Sequence, residues 1–332
     1  MNTVFDKFKK SDFAEKITLI VAFIILLIAF SFLNPNYFSV VNLMNILVAC
    51  SLMGFVAIGE TYLIIAGQID MSAGALAAFA GVLAGNLLKA GVPPAAVVVF
   101  ALAIGAAVGV FNATLINIWN IQPFIATLAT MSIIRGFAYI ICEGKPVSIS
   151  NSAFINIGTG RVFNIIPLPV IILVIAFIIF GFILARTYFG RSVYVIGGSP
   201  YAARLAGINP IAARYKLYII SGCLAALAGL LLSARMNSGQ PSAANGVEFD
   251  AITGVVLGGT AFTGGVGTIL GTLIGMLILQ SFNTGLVMLN VQVFWQNVAK
   301  GVLLVVALVF DFYRKQRQEK KVLTESLNNE QT

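Results

Sequence analysis

Histidine is absent from this chain of 332 residues. That removes the usual general base, the commonest metal ligand and the Ser-His triad. The three cysteines, Cys50, Cys142 and Cys223, each stand alone in or beside an apolar run. A free thiol there behaves as a small hydrophobe, and no metal spacing or disulfide pairing is evident. Charge is scarce: Asp, Glu, Lys and Arg make up 10% of the residues, against about 25% in a soluble globular chain. No G-x-x-x-x-G-K-[ST] loop occurs. The only Gly-Lys pair, Gly144-Lys145, is followed by Pro146, so the chain does not bind ATP by that device. Gly265-x-Gly267 falls in the run of an apolar helix, the wrong context for a dinucleotide. Asn112-Ala113-Thr114 fits a glycosylation pattern but lies inside an apolar span, where we treat it as chance. No catalytic residue and no metal ligand set can be picked out.

What the chain has in abundance is apolar sequence. Hydrophobic residues make up 59% of it and the mean hydropathy is +0.97. Ile17–Phe32 and Leu168–Leu184 approach the roughly 20 apolar residues of a transmembrane helix. The first run leads to Asn34-Pro35-Asn36 rather than to a small-residue cleavage site, so it reads as a retained span. The pattern predicts an all-α polytopic membrane protein of about ten spans: 17–33, 43–65, 71–89, 94–116, 122–142, 167–185, 214–234, 250–263, 266–287 and 294–312. The segment 250–263 is too short to cross alone, which leaves nine or ten.

The net charge of +8 could indicate nucleic acid, but its distribution argues for membrane orientation. Lys7, Lys9, Lys10 and Lys16 flank the first span. Arg186, Arg191, Arg204, Arg214 and Lys216 follow the sixth, and Arg314, Lys315, Arg317, Lys320 and Lys321 follow the tenth. With ten spans these 14 of the 20 basic residues share one side. Under the positive-inside rule that side is the cytoplasm, and both termini lie there. The chain then divides into a tail 1–16, a transmembrane domain 17–312 with an inner loop 186–213, and a charged tail 313–332.

The spans are rich in small residues at i, i+4: Gly81 and Gly85, Gly105 and Gly109, Gly254 and Gly258, then Gly267, Gly271 and Gly275. Such pairs let helix backbones approach in lipid, for packing alone or for sliding around a pathway. Within the inner loop, Ser199–Gly207 reads as a short helix with a Ser cap, Pro at N1 and Gly as its stop.

Asp70 sits between two apolar runs, just before Met71-Ser72-Ala73-Gly74. An Asp there can satisfy the orphan N–H groups that open the third span and suits the positive end of its dipole. It can equally mark a break that lines a solute route, as discontinuous helices do in many transporters; the two roles are compatible. Glu248-Phe249-Asp250-Ala251 opens the eighth span in the same manner, with Asp250 as the corresponding cap. Spans three and eight are the third members of two five-span halves, and an odd number of spans gives an inverted repeat. Few ionisable residues lie inside spans, namely Glu60, Arg135 and Lys300. That lowers, without closing, the reading of a self-sufficient secondary carrier built on carboxylate relays; a channel is a third option. Neutral amides cluster near the last spans, including Gln280, Asn283, Gln296 and Asn297. They suit a neutral hydroxylated solute, or serve packing.

Three blocks carry a family resemblance. Gly67-Gln68-Ile69-Asp70-Met71-Ser72-Ala73-Gly74 is similar to G-G-I-D-L-S-V-G, departing at Gln68, Met71 and Ala73. Gly197-Gly198-Ser199-Pro200-Tyr201-Ala202-Ala203-Arg204-Leu205-Ala206-Gly207-Ile208 resembles G-G-N-x-x-A-A-R-x-S-G-I. Glu248 to Ile252, Val255 to Thr260 and Gly264-Gly265 resemble E-L-D-A-I, V-V-L-G-G-T and G-G. From about Asn34 to Asp311 the chain resembles the membrane subunit of bacterial ATP-binding-cassette sugar importers, the ribose-permease-like group. The resemblance implies a second permease subunit, a cytoplasmic cassette ATPase that uses ATP and Mg, and an extracytoplasmic binding protein. The chain itself would bind no cofactor and would lie in the bacterial inner membrane. Importer permeases carry a cytoplasmic E-A-A-x-x-x-G element that docks on the ATPase. Ala202-Ala203-x-x-x-Gly207 keeps that spacing with Tyr201 in place of Glu, which implies coupling roles for Ala202, Ala203, Arg204 and Gly207. Asp70, Ser72, Asn283 and Asn297 are the translocation-path candidates. The solute expected is a monosaccharide such as ribose, with a nucleoside or sugar-like signalling molecule as the alternative.

Overall fold

A computed structural model describes the backbone of residues 2–330 and the side chains between Ile17 and Gln316 except Thr18, Phe310, Arg314 and Lys315. The basic side chains expected in both tails, Lys7 to Lys16 and Arg314 to Lys321, lie outside the described ones. Five helices come first: α1 Asn2–Leu33, α2 Val40–Ile65, α3 Ala73–Lys89, α4 Pro94–Asn117 and α5 Pro123–Ile141. A loop follows with β1 Val147–Ser148, α6 Ser152–Thr159, β2 Arg161–Val162 and β3 Ile166–Pro167. Then come α7 Leu168–Arg186, α8 Tyr188–Gly198, α9 Pro200–Leu205 and α10 Pro210–Met236. The chain ends with β4 Ser238–Gly239, α11 Val247–Leu257, α12 Ile269–Met288 and α13 Val293–Glu330. β1 pairs with β4 and β2 with β3, both antiparallel.

The helix boundaries follow local chemistry. Proline, which has no N–H to leave unpaired, occupies the first turn of α4, α5, α7, α9 and α10. Side-chain oxygens of Ser39, Thr187, Ser199, Asn209 and Thr268 accept from first-turn N–H groups of α2, α8, α9, α10 and α12.

Seven helices among the described residues are long and apolar enough to cross a membrane: α2, α4, α5, α7, α10, α12 and the first part of α13. Leu19–Leu33 and α3 are shorter apolar helices. The segment expected at 250–263 is a helix of only 11 residues, α11. At 1.5 Å per residue it reaches about 16 Å, half of a hydrocarbon core of ~30 Å.

Most of α10, α2 and α12 is enclosed, whereas α4, α5 and α7 are largely exposed and α13 almost entirely so. The outward side chains are large and apolar, among them Ile25, Val99, Ile178, Phe182, Phe294 and Val302. That is the surface of a multi-pass membrane protein, apolar toward lipid and packed inside by small residues. α4 lies along α10 so closely that a Cβ on Gly105 would collide with the Gly222 carbonyl, and one on Gly222 with the Gly105 carbonyl.

Candidate functional site

α2 stops at Ile65 because Gly67 turns left-handed, with φ +69. The N–H groups of Gly67 and Gln68 then close back on Ile64 and Leu63 at 2.9 and 2.8 Å. Six residues of irregular chain, Ala66 to Met71, precede Ser72, the N-cap of α3. Irregular backbone at membrane depth persists only where protein satisfies its polar groups, and four helices supply partners here. Glu60 Oε1 on α2 accepts from the Asp70 N–H at 3.2 Å. Thr127 Oγ1 on α5 accepts from Met71 N–H at 3.1 Å. On α10, Tyr218 OH donates to the Ile69 carbonyl at 3.0 Å. On α4, Asn112 Nδ2 donates to Ser72 Oγ at 2.9 Å.

Asp70 is the hub, and only 1% of it is exposed. Its Oδ1 accepts from Ser72 N–H at 2.9 Å and from Ser72 Oγ at 2.5 Å. Its Oδ2 accepts from Ser221 Oγ on α10 at 3.0 Å. This corrects the expected geometry. Asp70 is not itself the residue at the cap; it bonds two residues ahead and holds Ser72 there. Glu60 Oε2 and Asn112 Oδ1 are buried beside this network without hydrogen-bond partners.

The second acid-start segment meets the first. A Cβ on Gly74, in the first turn of α3, would run into the Glu248 carboxylate and the Ala244 carbonyl. Gly74 thus gives Glu248 room against the start of α3. Asp250 is not a cap either. Gly246 begins α11 in the left-handed conformation, and Asp250 Oδ2 pairs with Lys300 Nζ of α13 at 2.8 Å. Arg135 on α5 donates to the Pro241 and Ala243 carbonyls at 2.8 and 2.7 Å, fixing the loop that leads into α11.

A second break separates α11 from α12 and touches the end of α2. Gly265 N–H donates to the Ile65 carbonyl at 2.8 Å. Tyr194 OH on α8 donates to the Gly267 carbonyl at 2.7 Å. Gly197 of α8 packs on both strands of this crossing: a Cβ there would overlap the Ile65 carbonyl and the Gly265 nitrogen. α9 follows directly, with Ser199 Oγ accepting from Ala202 N–H at 3.2 Å. It ends at Gly207, φ +75, a value that a residue with a Cβ adopts at a cost of about 1–2 kcal/mol. Ala202, Arg204, Leu205 and Tyr201 are exposed on α9. Ala203 is not: it is fully buried against Ile196 and Ala213. A surface role for Ala203 is therefore corrected to a packing role that seats α9 on α8 and α10.

A family model described as "Branched-chain amino acid transport system / permease component" matches residues 42–308. The chain belongs to this permease family. The ribose import permease protein of Bacillus subtilis (strain 168) is 40% identical over 289 residues, 86% of this chain and 89% of that protein. The ribose import permease protein of Escherichia coli (strain K12) is 39% identical over 308 residues, 92% of this chain and 95% of that one. The L-arabinose ABC transporter permease protein of Azospirillum brasilense is 34% identical over 305 residues, 92% and 90% of the two chains. No solved structure matches.

The permease does not gather its four path candidates in one place. Asp70 and Ser72 share the buried break, and Asn283 lies buried near the far end of α12. Asn297 is exposed on α13. The partners that complete the break, Glu60, Asn112, Thr127, Tyr218 and Ser221, are not among the sequence candidates. Glu60 had a signal, an acid inside an apolar run. In sequence Asn112 shows only a chance glycosylation pattern; its contact with Ser72 in the fold gives it a role. Thr127 and Ser221 carry no sequence signal.

Proposed function

We propose that the permease is the membrane-spanning subunit of an ATP-driven importer for a neutral monosaccharide such as ribose. The observation that carries this reading is the likeness, over most of the chain, to proteins named as ribose and L-arabinose permeases. A bacterial inner-membrane location follows from it. So do a second permease subunit, an extracytoplasmic binding protein, and a cytoplasmic cassette ATPase that uses ATP and Mg.

The topology we propose has ten spans with both termini in the cytoplasm, α11 serving as a short eighth span. An inverted repeat of spans two to five and seven to ten is supported by the packing. α4 lies on α10 as α12 lies on α2; α3 lies on α10 as α11 lies on α2; and α2 and α10 meet between the halves. The first span of each half does not follow: α1 lies on α12 and α7 on α2.

In this arrangement α9 is the docking element, presenting Tyr201, Arg204 and Leu205 to the ATPase. Closure of the ATPase pushes α9, and α8 carries the displacement to Gly197. There it meets the ends of both broken helix pairs, so one push shifts α2–α3 and α11–α12 together. The Asp70 network holds the first break together and lies beside the solute route. A tagged permease purified from its host should bring a cassette ATPase with it. A chain that purifies alone and moves sugar on an ion gradient contradicts the reading.

A further inference from the structure

At the end of α12 remote from α8 and α9, the permease holds a cavity of about 500 Å³. It lies within the range of small-molecule sites, roughly 300–1,000 Å³. Asn36, Asn42 and Asn45 line it from the α1–α2 turn and the start of α2; Gln280, Asn283 and Thr284 line it from α12. No lining residue is charged. Much of the wall is nonetheless carbon, including Val41, Val287 and the amide methylenes.

Its walls are tied together. Tyr37 OH donates to the Ser281 carbonyl at 2.8 Å, Asn34 Nδ2 to the Met288 carbonyl at 3.0 Å, and Asn42 Nδ2 to the Tyr37 carbonyl at 2.7 Å. Phe30 stacks on Tyr37 with centroids 5.2 Å apart. The α1–α2 turn is thereby pinned to α12.

Two of its polar side chains are poorly served by the protein. Asn283 is 9% exposed, and its Oδ1 is buried with no hydrogen-bond partner. Gln280 is 3% exposed and its amide nitrogen faces the Met53 thioether, a weak acceptor. A buried amide oxygen without a donor is costly in an apolar surrounding, so Asn283 gains from a side-chain rotation that turns this enclosed oxygen out to the cavity, where something that brings hydroxyl donors can pair it. An acyl chain brings none. An anion would face no Lys or Arg, and a cation no carboxylate.

We propose that this cavity is a monosaccharide subsite of the permease itself, at its outer mouth. A sugar ring offers what the wall lacks: apolar C–H faces for Val41 and Val287, and hydroxyls that donate to Asn283 Oδ1 and accept from the amides. The proposal rests on the importer reading and its topology. It adds that the permease reads the solute after the binding protein releases it.

The test is Thr284→Cys in a chain whose three native cysteines are replaced, in right-side-out vesicles without binding protein. An impermeant maleimide added outside should label it. A panel of neutral monosaccharides, D-ribose, L-arabinose and D-galactose among them, should include at least one that slows labelling at millimolar concentration, while betaine of equal osmolality does not. Adding Asn283→Leu should leave labelling without sugar unchanged and raise the sugar concentration needed for protection about fivefold, the worth of one hydrogen bond between neutral groups. No protection by any sugar, protection indifferent to Asn283→Leu, or a cysteine unreachable from outside overturns the proposal. ATP-dependent uptake, measured in matched vesicles that carry the ATPase and are supplied with binding protein, separates the two failures. Sugar uptake without protection sinks the subsite alone. Neither uptake nor protection sinks the importer reading as well.

Discussion

The Ile65 carbonyl accepts the N–H of Gly265 at 2.8 Å, and Gly197 packs on that same bond. One backbone contact therefore joins the end of α2, the loop between α11 and α12, and the helix that leads into α9. At Gly197 the contact is close backbone approach, and Tyr194 one turn earlier on α8 adds a hydrogen bond to the Gly267 carbonyl of the same loop.

Gly197→Leu tests the joint. The added carbon atoms have to displace either the Ile65 carbonyl or the Gly265 loop. We expect near-complete loss of ATP-driven uptake with normal membrane insertion and normal ATPase co-purification. Uptake at the parent rate would show that the contact transmits nothing.

Asp70 should be sensitive to shape and polarity more than to charge. In Asp70→Asn the amide oxygen can still accept from Ser72, and the hydroxyl of Ser221 can turn to accept from the amide nitrogen. We expect a mild effect. Asp70→Leu leaves the Ser72 and Ser221 donors unpaired in a buried site, at about 1–3 kcal/mol for each orphaned group. Thermal unfolding in detergent should show a clear drop for Leu and little for Asn. Equal stability of parent and both variants would remove Asp70 from the account.

α9 separates docking from folding. Arg204→Glu reverses an exposed charge that can offer its fork of donors to a carboxylate of the ATPase. Co-purification of the ATPase should fall while the permease unfolds at its parent temperature. Ala203→Leu should do the reverse first: overpacking a buried position costs about 1–3 kcal/mol, so stability falls. Loss of the ATPase in neither variant would place docking elsewhere.

The topology has its own check. Single cysteines at Ser152 in α6 and at Ser199 before α9, in a chain without native cysteines, should label from opposite sides: Ser152→Cys from outside, Ser199→Cys from inside. The reverse pattern contradicts the ten-span arrangement.

Much of this was legible in the chain itself. The apolar runs, the prolines at helix starts, the Ser199–Gly207 helix and the acid at a broken span all have local causes, and local causes show in sequence. What escaped was non-local. Nothing about Ser221 or Thr127 says that an α10 hydroxyl will meet Asp70 or an α5 hydroxyl Met71, because helical periodicity does not say which faces come together. Asp250 looked like a cap because acids favour first turns; Gly246 and Lys300, one local and one 50 residues away, decide otherwise. Ala203 looked available because it is small, but its size lets α9 sit against Ile196 and Ala213. α8 reads as loop in the sequence: its three glycines mask a helix capped by Thr187 and seated by Val193 and Ile196.

The most direct test of the central claim is uptake of labelled monosaccharide by vesicles holding the permease, its cassette ATPase and its binding protein. The account predicts uptake that requires all three components and ATP, survives collapse of ion gradients, and is lost in Gly197→Leu. Uptake by the permease alone on an ion gradient, without ATP, would contradict it.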